Sequence, residues 1–310
     1  MPSWGVGLIY GHVDLLRSLG VEAFVLHESA DFVPSWLPSA QETSRLGLRD
    51  RAFGFRSDDV LVVPEVDALK LPEMNFPGDA WLFVQGSLPM LQSVPNASAL
   101  APLGYRGALV TMPHLERLVE RFYGLTTHRV PPFVSELFFE ANSGAPRERT
   151  VLLHVKEAID ALGLPDRRTI EQFWPERAPE GWRLERLRGL SQAEVAERFR
   201  RASLFVNLNL VEGFNATVAE AMASGCPCLT YDAVCGRDYL VGAGERQNAF
   251  VFGNGDVVAL AEELFGLMAS WQTPQTEAKI EAIAAHGRRS MEPYRIEATR
   301  AELEQLLRLL

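Results

Sequence analysis

The sequence predicts an α/β protein of two Rossmann-like halves, and three observations carry that prediction. Short apolar runs alternate with helical patterns twice along the 310 residues. The two series are separated by Val130-Pro131-Pro132-Phe133 and by the linker-like Ala141-Asn142-Ser143-Gly144-Ala145-Pro146. In the second series, one apolar run leads directly into a tight turn and a short helix that carry two glutamates, Glu212 and Glu220.

The chain is long enough for two domains with a core in each. Its composition, 47% apolar and 23% charged, is that of a soluble globular protein. A net charge of −10 argues against a nucleic-acid partner, because phosphate-backbone binding rests on excess Lys and Arg. Local clusters (Arg183, Arg186 and Arg188; Arg198, Arg200 and Arg201; Arg288 and Arg289) read as solvated helix faces, or else as a patch for anionic lipid or a lipid-diphosphate acceptor. No apolar run approaches the roughly 20 residues of a membrane span. The opening Met1-Pro2-Ser3-Trp4-Gly5 lacks the basic and apolar segments of a secretion signal. The expectation is a cytoplasmic protein, peripheral at most at the inner membrane face. Cys226, Cys228 and Cys235 make an odd count and read as core cysteines rather than disulfides or metal ligands.

In the first series, Glu22–His27, Asp59–Val63, Trp81–Val84 and Ala108–Met112 read as strands, and His12–Leu19 and His114–Tyr123 as helices. Apolar runs of this length suit strands buried on both faces of a parallel sheet. The second series opens with the strand Thr150–Val155. Ser191-Gln192-Ala193-Glu194 is a capping box for a helix to about residue 202. Leu204–Leu208 and Cys226–Tyr231 are strands, and Asn254-Gly255-Asp256 caps a helix through Met268. The expected domains are residues 1–142 and 147–290, followed by a helix over 291–310.

Leu204–Leu208 delivers Glu212 just past its carboxyl end, where open α/β sheets bind ligands. The turn Gly213-Phe214-Asn215 follows, then the helix bearing Glu220. Free N–H groups at a helix start bind phosphate, since they are unpaired and lie at the positive end of the dipole. The amides of Asn215, Ala216 and Thr217 are therefore candidates for a diphosphate. A carboxylate beside a phosphate site accepts both hydroxyls of a ribose, a role suited to Glu220. The other reading of Glu220 is an exposed surface glutamate, and that of Glu212 a helix-capping carboxylate.

The stretch Glu212-Gly213-Phe214-Asn215, with Glu220-Ala221-Met222-Ala223, Gly225 and Pro227, resembles the Glu-x7-Glu signature of retaining, nucleotide-sugar-dependent glycosyltransferases of GT-B architecture. The likeness runs from the lead-in at Gly189 to Ala261. The first half matches more loosely. Asn215 stands where the family usually has Gly, and Asn is the next most tolerant residue of positive φ. The resemblance implies two Rossmann-like domains facing each other across a cleft, the last helix crossing back to the first domain. It also implies transfer of a sugar from a nucleotide diphosphate to a glycan or lipid-linked hydroxyl. Glu212 would contact the donor sugar, and Lys156, with Arg237 of Gly236-Arg237-Asp238, would join the diphosphate site. Gly5, Gly7 and His12 resemble the family's first-domain glycine loop, with the strand expected ahead of it short or missing. Gln85 stands where many relatives carry a histidine, and His114 is the alternative for that contact. No Asp-x-Asp is present, so neither a cofactor nor a metal is expected. The rival readings are a catalytically silent GT-B-like protein that binds glycan or stabilises a partner, and a nucleotide-sugar epimerase.

Overall fold

The computed structural model describes residues 4–29, 31–35, 37–51, 53–140, 146–156, 165–210, 213–233 and 236–308. The chain divides into two compact units: Met1–Phe133 with Glu297–Leu310, and Val134–Ile296. Of the expected linker over 141–146, residues 141–145 lie outside the described residues.

The first unit opens in helix α1 (Trp4–Ser18), which corrects the reading of Gly5 and Gly7 as a loop. Neither takes a positive φ. Helical glycine costs about 1 kcal/mol per residue relative to alanine, but α1 buries Leu8, Tyr10, Val13 and Leu15. Each such side chain is worth about 1.5–3 kcal/mol, so packing overrides local propensity. Gly11 is required for that packing, because a Cβ there would lie 2.3 Å from Phe133 Cζ.

Strands β1 (Val25–His27) and β2 (Arg45–Gly47) form a parallel pair. A separate four-stranded parallel sheet runs in the order β3 (Val60–Pro64), β4 (Asp79–Val84), β5 (Gly107–Val110), β6 (Thr127–Arg129). β4 and β5 are almost continuously buried, as their unbroken apolar runs predict. Helix α2 (Ser87–Ser93) follows β4, α3 (Ala97–Leu100) comes next, and α4 (Pro113–Leu118) follows β5. No strand precedes α1 among the described residues.

The second unit holds a five-stranded, wholly parallel sheet of β7 (Glu148–His154), β8 (Arg183–Arg186), β9 (Ala202–Asn207), β10 (Cys228–Tyr231) and β11 (Phe250–Phe252), ordered β11-β10-β9-β7-β8. The central strand β9 is buried at every position. Helices α5 (Pro165–Arg177), α6 (Gln192–Arg201), α7 (Ala216–Ala223), α8 (Val257–Ala269) and α9 (Pro274–Met291) accompany the sheet. The capping box at α6 forms as the sequence predicts: Ser191 Oγ accepts from the Glu194 N–H and Glu194 Oε2 from the Ser191 N–H. Asp256 likewise caps α8 through the N–H of Ala259. Cys226 and Cys228 are buried core thiols, and burial pushes Cys226 up to about 11. Cys235 lies outside the described residues.

Residues 134–140 pack within the second unit. The Val134 N–H donates to the Tyr294 carbonyl at 2.8 Å, and Arg200 donates to the Leu137 carbonyl at 3.0 Å. The last helix, α10 (Ile296–Leu307), lies almost wholly in the first unit, where Thr299 Oγ1 approaches the Pro131 and Pro132 carbonyls at 3.5 and 3.4 Å. Arginines of the first two clusters make ion pairs: Arg183 with Glu148, Arg186 with Glu171, Arg198 with Glu185, Arg200 with Glu140 and Glu197, and Arg201 with Glu148. Among the described residues, no helix is long and apolar enough to cross a membrane.

Candidate functional site

The second unit places the start of α7 at the carboxyl end of β9. Glu212 lies outside the described residues. Asn215, the N-cap of α7, takes φ 57° and ψ 56° in the left-handed region, and its side chain makes no capping hydrogen bond. The first-turn N–H groups of Ala216 and Thr217 precede any helical acceptor. They therefore stand at the positive end of the helix with no cap from Asn215. Both residues are partly exposed.

The turn is held from behind. Phe214 is 1% exposed and packs against the rings of Tyr239 and Tyr294, with centroids 5.5 and 5.0 Å away. Tyr239 Oη donates to the carbonyls of both Phe214 and Asn215, at 2.9 and 3.1 Å. Neither tyrosine is legible from the motif, since they lie far along the chain and nothing local marks them.

Glu220 falls one turn into α7, on the face shared with Ala216 and Thr217. Burial pushes its carboxyl up to about 8, opposed by a hydrogen bond from the Gln192 side chain at the start of α6. Its outline remains partly exposed at the surface. A half-buried carboxyl raised by desolvation makes Glu220 a candidate functional group rather than an exposed surface charge. Gln192 is a second contributor that sequence reasoning misses.

Lys156 follows β7 and is exposed, and its backbone N–H donates to Asn209 Oδ1 at 2.8 Å. Arg237 pairs with Asp232 at 3.1 Å, with both side chains more than half exposed. An open groove elsewhere in this unit is lined by Glu148, Arg183, Glu185, Glu194, Arg198 and Arg201. It lies toward the amino ends of β7 and β9, and its arginines are already paired with its glutamates, so it offers less to a ligand than the start of α7.

In the first unit, His12 is a packed core residue. It is 7% exposed, and burial drives its ring down to about 4, partly offset by its bond to the Pro131 backbone. Its ring meets Phe83 and Phe133 edge-on at 5.7 and 5.9 Å. Gln85, at the end of β4, packs so closely on α1 that a Cβ on Gly5 would lie 2.7 Å from Gln85 Oε1. A Cβ on Gly7 would meet only Leu37 Cδ1, at 4.0 Å. Gly5, Gly7 and His12 thus form the packed face and backbone of a helix, not a loop open to a ligand. His114 sits in the first turn of α4. Sequence reasoning misses Glu65, whose Oε1 accepts the N–H groups of Gln85 and Gly86, both at 3.0 Å. Among the described residues, no cluster of His, Cys, Asp and Glu is placed to hold a metal.

Two units, each built on parallel α/β sheets, give the chain the fold of GT-B glycosyltransferases. Residues 184–284 match the family model described as glycosyl transferases group 1. The chain is similar to the solved sucrose-phosphate synthase of Thermosynechococcus elongatus (TM-score 0.67, 14% identity, 99% of this chain and 92% of that one). It is similar also to the pneumococcal O-GlcNAc transferase GtfA in complex with UDP and GlcNAc (TM-score 0.58, 13% identity, 82% and 57%). A third likeness is to an α,α-trehalose-phosphate synthase (UDP-forming) from Burkholderia vietnamiensis (TM-score 0.56, 15% identity, 82% and 72%). At these identities the likeness concerns the fold, and the chain spans little more than half the length of GtfA. No curated protein matches the sequence.

Proposed function

We propose that the protein transfers a sugar from a nucleoside diphosphate to a hydroxyl of a glycan or lipid-linked acceptor, with retention and without a metal ion. One observation carries this reading. The left-handed N-cap of α7 leaves the first-turn amides uncapped, one helical turn from a carboxyl held near neutrality. The amides of Asn215, Ala216 and Thr217 would hold the diphosphate, and Glu220 the ribose hydroxyls. Charge grows on the leaving diphosphate as the glycosidic bond breaks, and preorganised donors are worth most at that point. Lys156 would add a cation there. The exposed pair of Arg237 with Asp232 is of the kind worth about 0–1 kcal/mol, so a diphosphate could recruit that arginine as well. Glu212 would face the donor sugar beside the anomeric carbon. A diphosphate oxygen would take the acceptor proton in a front-face displacement, so no side-chain nucleophile is needed. Retention is supported by the resemblance of the Glu212–Glu220 motif, and surface glycan synthesis is the setting we favour.

The names of two structural neighbours mention UDP, which makes it the first probe. The test is thermal unfolding of wild type and Glu220→Ala with UDP, GDP, dTDP, ADP and CMP, in Mg²⁺ and in EDTA. A ligand at about 100 times its dissociation constant stabilises by roughly 2.7 kcal/mol. A shift with one nucleotide that is lost in Glu220→Ala and indifferent to EDTA supports the proposal. Absence of any shift refutes it. A catalytically silent glycan-binding or partner-stabilising protein is the second reading, favoured by Gln85, which packs against α1. It would turn over no donor with any acceptor, and absence of a nucleotide shift would favour it. An epimerase would turn over donor with no acceptor at all.

A further inference from the structure

Asn207, Asn209 and Asn215 are 0%, 0% and 1% exposed, although each lies at the end of an apolar strand or turn. Buried amides are costly unless their hydrogen bonds are made, so three together require a reason. Their side chains form one path. The Lys156 N–H donates to Asn209 Oδ1 at 2.8 Å, Asn209 Nδ2 donates to Asn207 Oδ1 at 2.8 Å, and Asn207 Nδ2 donates to Asn215 Oδ1 at 3.2 Å. Asn207 Nδ2 also stands 3.4 Å from Thr230 Oγ1 on β10. His154 Nδ1 lies 3.1 Å from Asn209 Nδ2 and 3.3 Å from Asn207 Oδ1. Burial depresses the His154 ring, against the pull of Asn207 and with the help of the Lys156 charge. Asn207 and Asn209 thus each use an amide hydrogen and the carbonyl within the path. Asn215 differs: its Nδ2 is buried with no partner, and it leaves the helix uncapped.

We infer that Asn207 and Asn209 are positioning residues, which lock the end of β7 that carries Lys156 to the left-handed N-cap of α7. This rests on the nucleotide-binding reading above, because the two ends so joined are the groups assigned to the diphosphate. Asn215 then does two things. It tolerates positive φ, as Gly would, and it is the last link of the path, which Gly cannot be. Fixing donor groups before the ligand arrives removes the cost of ordering them on binding.

Asn215→Gly separates the two roles, since it keeps the turn and cuts the link. The experiment compares wild type, Asn215→Gly, Asn207→Ala and the double variant. It reads amide hydrogen exchange at Lys156 without ligand, and calorimetric affinity for whichever of UDP, GDP, ADP and dTDP the wild type binds. The expected result is that Asn215→Gly stays cooperatively folded, speeds exchange at Lys156 about ten-fold and weakens nucleotide binding about ten-fold. Asn207→Ala should then add little to Asn215→Gly, because both act on one path. If Asn207→Ala does not fold, Asn207→Ser takes its place. Unchanged Lys156 exchange in Asn215→Gly, or effects that add in full, would overturn the lock. A wild type that binds none of the four nucleotides overturns the donor reading instead, and exchange at Lys156 then decides the lock alone.

Discussion

Glu65 Oε1 lies 3.0 Å from the backbone nitrogen of Gly86, the N-cap of α2, and 3.0 Å from that of Gln85. A side chain from the residue after β3 therefore occupies the helix start that follows β4. Burial holds this carboxyl up at about 7, against the pull of its backbone donors. Glu65→Ala leaves two buried N–H groups unserved and should cost about 2–4 kcal/mol in denaturant unfolding. Glu65→Gln keeps an acceptor oxygen and should cost much less. Equal losses in the two variants would show that the amides find other partners.

The raised carboxyls also set a pH dependence. A group whose folded pKa exceeds its unfolded value contributes stability at low pH and loses it as pH rises through the folded value. For Glu65 the loss runs from about 4.5 to about 7, and for Glu220 from about 4.5 to about 8. Stability should therefore fall across this range, and Glu220→Gln should flatten the upper part of the fall. Thermal melts at half-unit pH steps test this. A wild-type curve that rises between pH 5 and 8 with no change in the variant would show that neither burial governs stability.

The same protonation bears on ligand binding. A ribose donates hydrogen bonds best to an ionised carboxylate, and Glu220 is largely neutral below about 8 in the free protein. Affinity for the nucleoside diphosphate should rise with pH and level off above about 8, with proton release on binding. Calorimetry in two buffers of different ionisation enthalpy detects that proton. A pH-independent affinity with no proton released would remove Glu220 from the ribose.

The sheet cores were legible because a strand buried on both faces is apolar throughout, as in the runs around Trp81–Val84 and Leu204–Val206. The α7 turn was legible from its own residues. The strands β2, β6 and β11 were not, since each has three residues and too little pattern to count. β8 was hidden by its arginines and glutamate. Gly5 and Gly7 misled because local chemistry favours a loop, whereas the buried face of α1 decides in favour of helix. Glu65, Gln192, Tyr239 and Tyr294 act through contacts distant in sequence, which no local pattern reports.

Tyr239 offers the sharpest test of how the phosphate-facing turn is built. Its hydroxyl is shared between the carbonyls of Phe214 and Asn215, while its ring packs on Phe214 and, at 5.9 Å, on Tyr294. Tyr239→Phe removes the hydroxyl and keeps the ring, so it takes one donor from the Phe214 carbonyl and one from the Asn215 carbonyl, which keeps the N–H groups of Val218 and Ala219, without opening a cavity. The expected loss is about 1–2 kcal/mol of stability, together with a several-fold rise in the nucleotide dissociation constant as the N-cap of α7 loosens. Tyr239→Ala should lose more stability, because it also removes the ring packing. If Tyr239→Phe lowers stability while nucleotide affinity stays at the wild-type value, the hydroxyl braces the fold alone, and the geometry of the α7 start is held by Asn207 and the aromatic packing.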